Sequence, residues 1–191
     1  MIVRALLLAA AVFAATPAAG QSFPSRPVRI VVASPPGGGT DIMARLLAEP
    51  LREDLGQPVV VENRGAGNGI LGSLEVARAA PDGYTVMMIA GALAIAPSVY
   101  AKLPFDPLND LKPIALIAHV PLVLVTKNDS PINTVADLVA LAKRDGDKVT
   151  FASFGNATPS HLVGESMNQL AGLKMTHVPY KGSAAALIDV L

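Results

Sequence analysis

Apolar and polar positions along this chain change period repeatedly, from the near-continuous runs of buried strands to the stripes of amphipathic helices. Val28 to Ala33 is almost wholly apolar, broken only by Arg29, as expected of a parallel strand covered on both faces. From Asp41 the period changes. Ile42, Met43, Leu46, Leu47, Leu51 and Leu55 make one stripe of a helix that Pro50 should kink or shorten and Gly56 should end. Val59-Val60-Val61 is the next strand. A glycine-rich turn from Gly65 leads into a helix over Ile70 to Ala80, then a Pro81-Asp82-Gly83 turn and a third buried strand, Thr85 to Ile89. Strand, loop and helix in repetition imply α/β layering with right-handed crossovers.

Leu103 to Pro113 is rich in Pro and Asp and reads as surface loop. Ile114 to Ala118 and Leu122 to Thr126 are short apolar stretches expected in a crossover between two lobes. The rhythm then restarts. Thr134 with Asp137 opens a helix to about Arg144 in the manner of a capping box. Val149 to Ser153 is a strand, Phe154 to Thr158 a loop, and Pro159 to Ala171 a helix stopped by Gly172. Met175 to Val178 is a strand, and Ser183 is expected to cap a helix still running at Leu191. That last segment, AAALIDVL, stops without a cap or a following strand, so the second lobe is expected to lack its C-terminal part. The expected organisation is a leader over 1–20, a first α/β lobe over 21–118 and an incomplete second lobe over 119–191.

Composition adds an address. Arg4, the apolar run Ala5 to Ala15 and the small residues Ala18-Ala19-Gly20 have the form of a secretory leader cleaved near Gly20. The apolar run is too short for the ~20 residues of a membrane span. With 15 basic and 15 acidic residues in the whole chain, removing Arg4 leaves 14 against 15, a net −1. Nothing in that balance attracts nucleic acid or an anionic membrane. The chain has no Cys, so an exported product has no disulfides and depends on its core, which 51% hydrophobic residues can supply. His119, His161 and His177 lack metal-site spacing, and no metal or cofactor is expected.

Three segments carry candidate chemistry. Pro35 to Asp41 holds three consecutive glycines between a strand and a helix, which bring backbone N–H groups close to a ligand and aim a helix N-terminus at it. Thr40 or Asp41 is expected to cap that helix; the alternative is a capped turn with no ligand. Gly67-Asn68-Gly69-Ile70-Leu71-Gly72 is a formal GxGxxG, but it follows the second strand and no acidic residue ends the next one. Close helix–strand packing explains its glycines better than a dinucleotide. In Gly155 to His161, Thr158 is an N-cap with Pro159 at N1. Ser160 and His161 then fall where backbone N–H groups are free, and Ser153, Asn156, Thr158 and Ser160 can add side-chain donors. Ordinary capping is the alternative there. Tyr180 and Lys181, just before Ser183, are candidate further contacts or a solvated strand end. Asp41, Ser160 and His161 have the residue types of a catalytic triad, but neighbouring side chains on a helix diverge and no nucleophile elbow is present.

The segments VRIVVASPPGGGTDIMARLLAE, GQPVVVENRGAGNGILGSLEVARAAPDGYTV, GNATPSHLVGE and HVPYKGSAAALIDVL resemble, in order, the Bug family, the extracytoplasmic solute receptors of tripartite tricarboxylate transporters. The resemblance covers about Phe23 to Leu191. It implies two α/β lobes in a periplasmic-binding-protein, Venus-flytrap fold, closing over a small carboxylate. It also implies a periplasmic monomer that hands its ligand to membrane permease subunits, with no nucleic acid and no catalysis. The ligand-binding positions it implies are Ser34, Pro36, Gly37, Gly38, Gly39, Thr40 and Asp41 in the first loop, and Ser153, Phe154, Asn156, Thr158, Ser160 and His161 in the second. Family members usually continue further at the C-terminus. Two departures bear on ligand shape: Ala33-Ser34 stand where Pro-Phe is common, and Phe154 stands where a small residue is common. The competing reading is a secreted α/β enzyme acting on a small organic acid; a third is a lobe fragment with no activity of its own.

Overall fold

The computed structural model describes residues 22–191, and the leader expected over 1–20 lies outside them. The first sheet has the order β2-β1-β3, all parallel, with β1 at Val28–Val32, β2 at Val59–Asn63 and β3 at Thr85–Met88. The second is a parallel pair, β4 at Thr150–Ser153 and β5 at Thr176–Pro179. Six α-helices are described: α1 Gly39–Leu55, α2 Ile70–Ala77, α3 Ala92–Val99, α4 Val135–Asp145, α5 Pro159–Ala171 and α6 Ser183–Val190. Every strand, β3 included, lies within a residue or two of its expected bounds at either end, β3 ending one residue early at Met88.

The central place of β1 explains its composition. Ile30, Val31 and Val32 are buried because helices and neighbouring strands cover both faces. Arg29 is tolerated there because the adjacent strand supplies Glu62, which it meets bidentately at 3.0 and 2.9 Å, and α2 supplies Glu75 at 2.6 Å. Hydrogen bonds to Glu62 first, then Glu75, push the guanidinium pKa far above its ordinary value and hold both carboxyls below theirs. Each side chain of this network is roughly a third exposed, so its net contribution is modest.

Helix α1 differs from expectation on three counts. It starts at Gly39, with Gly38 as N-cap and no side-chain capping bond, so neither Thr40 nor Asp41 caps it. It is not shortened at Pro50 but runs on to Leu55, where Gly56 ends it as expected. Its fully buried apolar positions are Ala44 and Ala48, while Ile42 and Leu46 face outward at 51% and 63% exposure. Small residues let the helix axis approach the sheet, which turns the expected stripe by part of a turn.

Helix α2 ends at Ala77, three residues short of expectation. Its start confirms the packing role of the glycines. A Cβ on Gly69 would meet the Ala33 carbonyl at 2.5 Å, and one on Gly72 the Arg64 carbonyl at 2.8 Å. Helix α3 has no counterpart in the sequence reading. It is eight residues long, contains Pro97 and shows little periodic contrast. The stretches Ile114–Ala118 and Leu122–Thr126 adopt no regular structure and are mostly exposed, because no strand pairs with them. The second core gathers Leu138, Ala142, Leu173 and Met175, with Phe151 and Met167 against them. Thr134 and Asp137 do form a capping box on α4. At α6 the N-cap is Gly182, and Ser183 is the first helical residue.

Candidate functional site

In a parallel α/β sheet every strand-to-helix turn falls at the same edge, beyond the C-terminal ends of the strands. Here the two sheets bring those edges together. A Cβ on Gly182, before α6, would lie 3.6 Å from Pro35, and one on Gly38 would lie 3.6 Å from Ser183 Oγ. Gly91, before α3, approaches the Pro159 ring at the start of α5, where a Cβ would stand 3.1 Å away. Asn68, before α2, donates through Nδ2 to the Asn156 carbonyl at 2.8 Å. All five turns therefore meet in one place.

The first turn is braced from behind. Asp41 is buried, and its carboxylate accepts from Gly37 N at 2.9 Å, Asn63 Nδ2 at 2.9 Å and Arg45 Nε at 3.1 Å. Asn63 Nδ2 also reaches the Ser34 carbonyl at 3.2 Å. Burial by itself would raise the Asp41 carboxyl pKa; the Arg45 guanidinium, the Gly37 N–H and Asn63 together hold it below its usual value. The Asp41 side chain thus points into the loop and fixes its shape. Gly37 spends its N–H on Asp41, and Pro36 has none to offer. By contrast the N–H groups of Gly38, Gly39, Thr40 and Asp41 find no acceptor among the described residues. Ser34 Oγ is buried without a partner.

The second turn is braced by its own side chains. Ser153 Oγ, fully buried at the end of β4, accepts from Gly155 N at 3.2 Å and meets His177 Nε2 at 2.6 Å. Thr158 caps α5 and donates to the Gly155 carbonyl at 2.7 Å, and Ser160 Oγ accepts from Phe154 N at 3.0 Å. The His161 ring stacks on His177 at 3.9 Å between centroids, and its Nδ1 accepts from Ala157 N at 3.1 Å. Ser153, Thr158 and Ser160, expected as side-chain donors to an anion, thus make their bonds within the loop. What the loop leaves open are the N–H groups of Asn156, Thr158 and Ser160 and the Asn156 side chain, with Phe154 partly exposed beside them.

At α6 the Ser183, Ala184 and Ala185 N–H groups are likewise without an acceptor among the described residues, and Ser183 Oγ is unpaired there too. Sequence reading missed this third contributor by treating Ser183 as a cap. It also passed over Asn68, whose signal is a non-glycine residue between Gly67 and Gly69, held at φ 56°. Tyr180, expected as a further contact, turns along α6 and bonds Asp189. Lys181 is exposed. A shallow pocket of about 290 Å³, lined by Gly67, Ile70, Leu71, Tyr100, Lys102 and Leu103, opens beside this junction.

The electrostatics follow from the helix ends. Four termini, those of α1, α3, α5 and α6, present unpaired N–H groups in one region, each with partial positive charge, so an anion is favoured without a lysine or arginine. Nothing in the arrangement forms a nucleophile with its base. Asp41, Ser160 and His161 point to separate partners, and Ser153 next to His177 is sealed from solvent. No group of three or more metal-ligating side chains occurs among the described residues.

Comparison with known proteins fits this geometry. The family described as the tripartite tricarboxylate transporter family receptor matches residues 43–191. The chain belongs to that receptor family. Protein BugT of Bordetella pertussis is 38% identical over 179 residues, 93% of this chain and 55% of that protein. Among solved structures, R. palustris Rpa4515 with adipate superposes with a TM-score of 0.84 at 36% identity, covering 88% of this chain and 56% of that one. MatC from Rhodopseudomonas palustris with bound malate gives 0.77 at 31% identity, covering 88% and 57%. The two-sheet arrangement is therefore the bilobed binding-protein architecture of these receptors. The chain spans a little over half the length of the curated relatives it matches.

Proposed function

We propose that this chain forms the ligand-capturing part of a periplasmic receptor that takes up a small carboxylate and delivers it to the membrane permease of a tripartite tricarboxylate-type transporter. The observation that carries the reading is the meeting of unpaired helix N-termini from both lobes at one edge. A carboxylate there receives N–H groups of Gly38, Gly39 and Thr40 from one side. From the other come those of Ser183 to Ala185 and of Thr158 and Ser160. Hydroxyls of Ser34, Thr40 and Ser183 and the Asn156 amide lie alongside. Each hydrogen bond to a charged ligand contributes about 1.5–3 kcal/mol, so a handful outweighs the ordering cost of a small acid. Relatives solved with adipate and malate make dicarboxylates the first acids to try. The proposed division places residues 21–118 in the first lobe and 119–191 in the second, with the mature receptor acting as a monomer.

Titration calorimetry on the full-length mature protein, with adipate, malate and their neutral diamides, tests this directly. Acids are expected to bind and to be recovered unchanged, whereas diamides fail. Equal affinity for the diamides sinks the anion cradle, and recovery of a chemically altered acid favours an enzyme.

A further inference from the structure

Asn68 does something that neither the anion cradle nor helix packing requires. Its backbone sits in the left-handed region at φ 56°, between Gly67 and Gly69. Nδ2 donates to Tyr100 OH at 2.9 Å, on the same side of the junction. It donates also to the Asn156 carbonyl at 2.8 Å, on the opposite side. A carbonyl only accepts, so the amide orientation is settled by that contact. The opposing turn is shaped to receive it. Gly155 has φ 136°, and a Cβ there would lie 3.2 Å from Asn68 Oδ1. One side chain, anchored to the first lobe by a tyrosine, thus hydrogen-bonds the backbone of the second lobe's binding loop.

We propose that Asn68 is a lobe latch: a positioning residue whose amide holds the cleft closed on its ligand and thereby sets how slowly the ligand leaves. The inference rests on the receptor reading for its ligand but not for its geometry. Contacts made only when lobes are closed act on escape more than on encounter. Loss of the amide therefore opens the closed state without touching the N–H groups that hold the anion.

Asn68→Gly is the discriminating variant, because glycine accepts the positive φ and removes both contacts of the amide. Residues 1–191 contain no cysteine, so Cys introduced at exposed Asp54 and Lys174, with any cysteine elsewhere replaced by Ser, can carry one spin label on each lobe. In the full-length mature protein, the wild type is expected to give a short inter-lobe distance with adipate or malate. N68G is expected to shift the population toward longer distances and to release the acid about tenfold faster or more. Tyr100→Phe, which removes the anchor and keeps the bridge, is expected to fall between the two. A merely structural role would lower the unfolding midpoint of unliganded N68G, whereas the latch predicts a midpoint held or raised. Superimposable distance distributions and release rates within about twofold overturn the latch. If the wild type answers to no acid, the receptor reading falls, and the latch is still decided by the ligand-free distances.

Discussion

Ser183 is the residue on which the cradle can be probed most sharply. It stands at the first turn of α6, its hydroxyl close to Gly38 at the N-cap of α1. A carboxylate placed there is the intramolecular equivalent of the proposed ligand. Ser183→Asp is therefore expected to raise the unfolding temperature of the unliganded protein while weakening acid binding by about 100-fold, since opposite effects follow from one favourable helix-terminus charge. A variant that binds acids as before would remove α6 from the site. Glycines give a second test at this scale. Gly56 and Gly69 both have positive φ, but a Cβ meets nothing at Gly56 and a backbone carbonyl at Gly69. Gly56→Ala is expected to cost about 1 kcal/mol, the strain of the left-handed conformation alone, and Gly69→Ala about 2–4 kcal/mol. Urea unfolding of the two variants side by side checks the difference; equal losses would mean that the turn at Gly69 yields.

Caps separate stability from binding at the scale of elements. Thr134 caps α4 through the reciprocal pair with Asp137, and its side chain bonds neither binding loop. Thr158 caps α5 and also ties the Gly155 carbonyl within the second loop. Either Thr→Ala change removes a cap worth about 1 kcal/mol. Only Thr158→Ala is expected to weaken acid binding as well, because it frees the loop whose N–H groups face the cleft. Calorimetry on both variants decides this, and a binding loss at Thr134 would contradict the separation. The element scale also shows what was legible. The start of α5 is written in Thr158-Pro159 and its end in Gly172, and all three residues act as their local chemistry dictates. Helix α3 was illegible because a short apolar helix has no polar face to reveal its period.

The response of the whole molecule to acid should come in two stages. Burial lowers the His177 pKa, the neighbouring His161 lowers it further, and Glu165 partly opposes both. A base with a depressed folded pKa contributes stability above its unfolded value, near 6.5, and loses it as pH falls toward the folded value. The Asp41, Glu62 and Glu75 carboxyls are also depressed, from ordinary values of 3.8, 4.5 and 4.5. Their contribution is complete above those values and disappears as pH falls below them. Unfolding free energy measured by urea titration is thus expected to decline gently below about pH 6.5 and steeply below about 4.5. His177→Gln should abolish the first decline and leave the second. A His177→Gln profile that still slopes between pH 6.5 and 5 would place the first stage elsewhere.

Periodicity, turn residues and caps by themselves determined the strands, most helices, the parallel layering and the glycine turn at Pro35 to Asp41. These are local properties, carried by residues a few positions apart, and the ordered motifs carried the family. The direction of each polar side chain was decided only by tertiary structure. Asp41, Ser160 and His161 have the chemistry of ligand contacts, but neighbours from Asn63, Phe154 and His177 claim them for loop architecture. Ser183 and Asn68 gain their importance from residues more than eighty positions distant, Gly38 and Asn156. A hydrogen-bonding group serves whichever partner folding brings within about 3 Å, and that choice is not written in the residue's own surroundings along the chain.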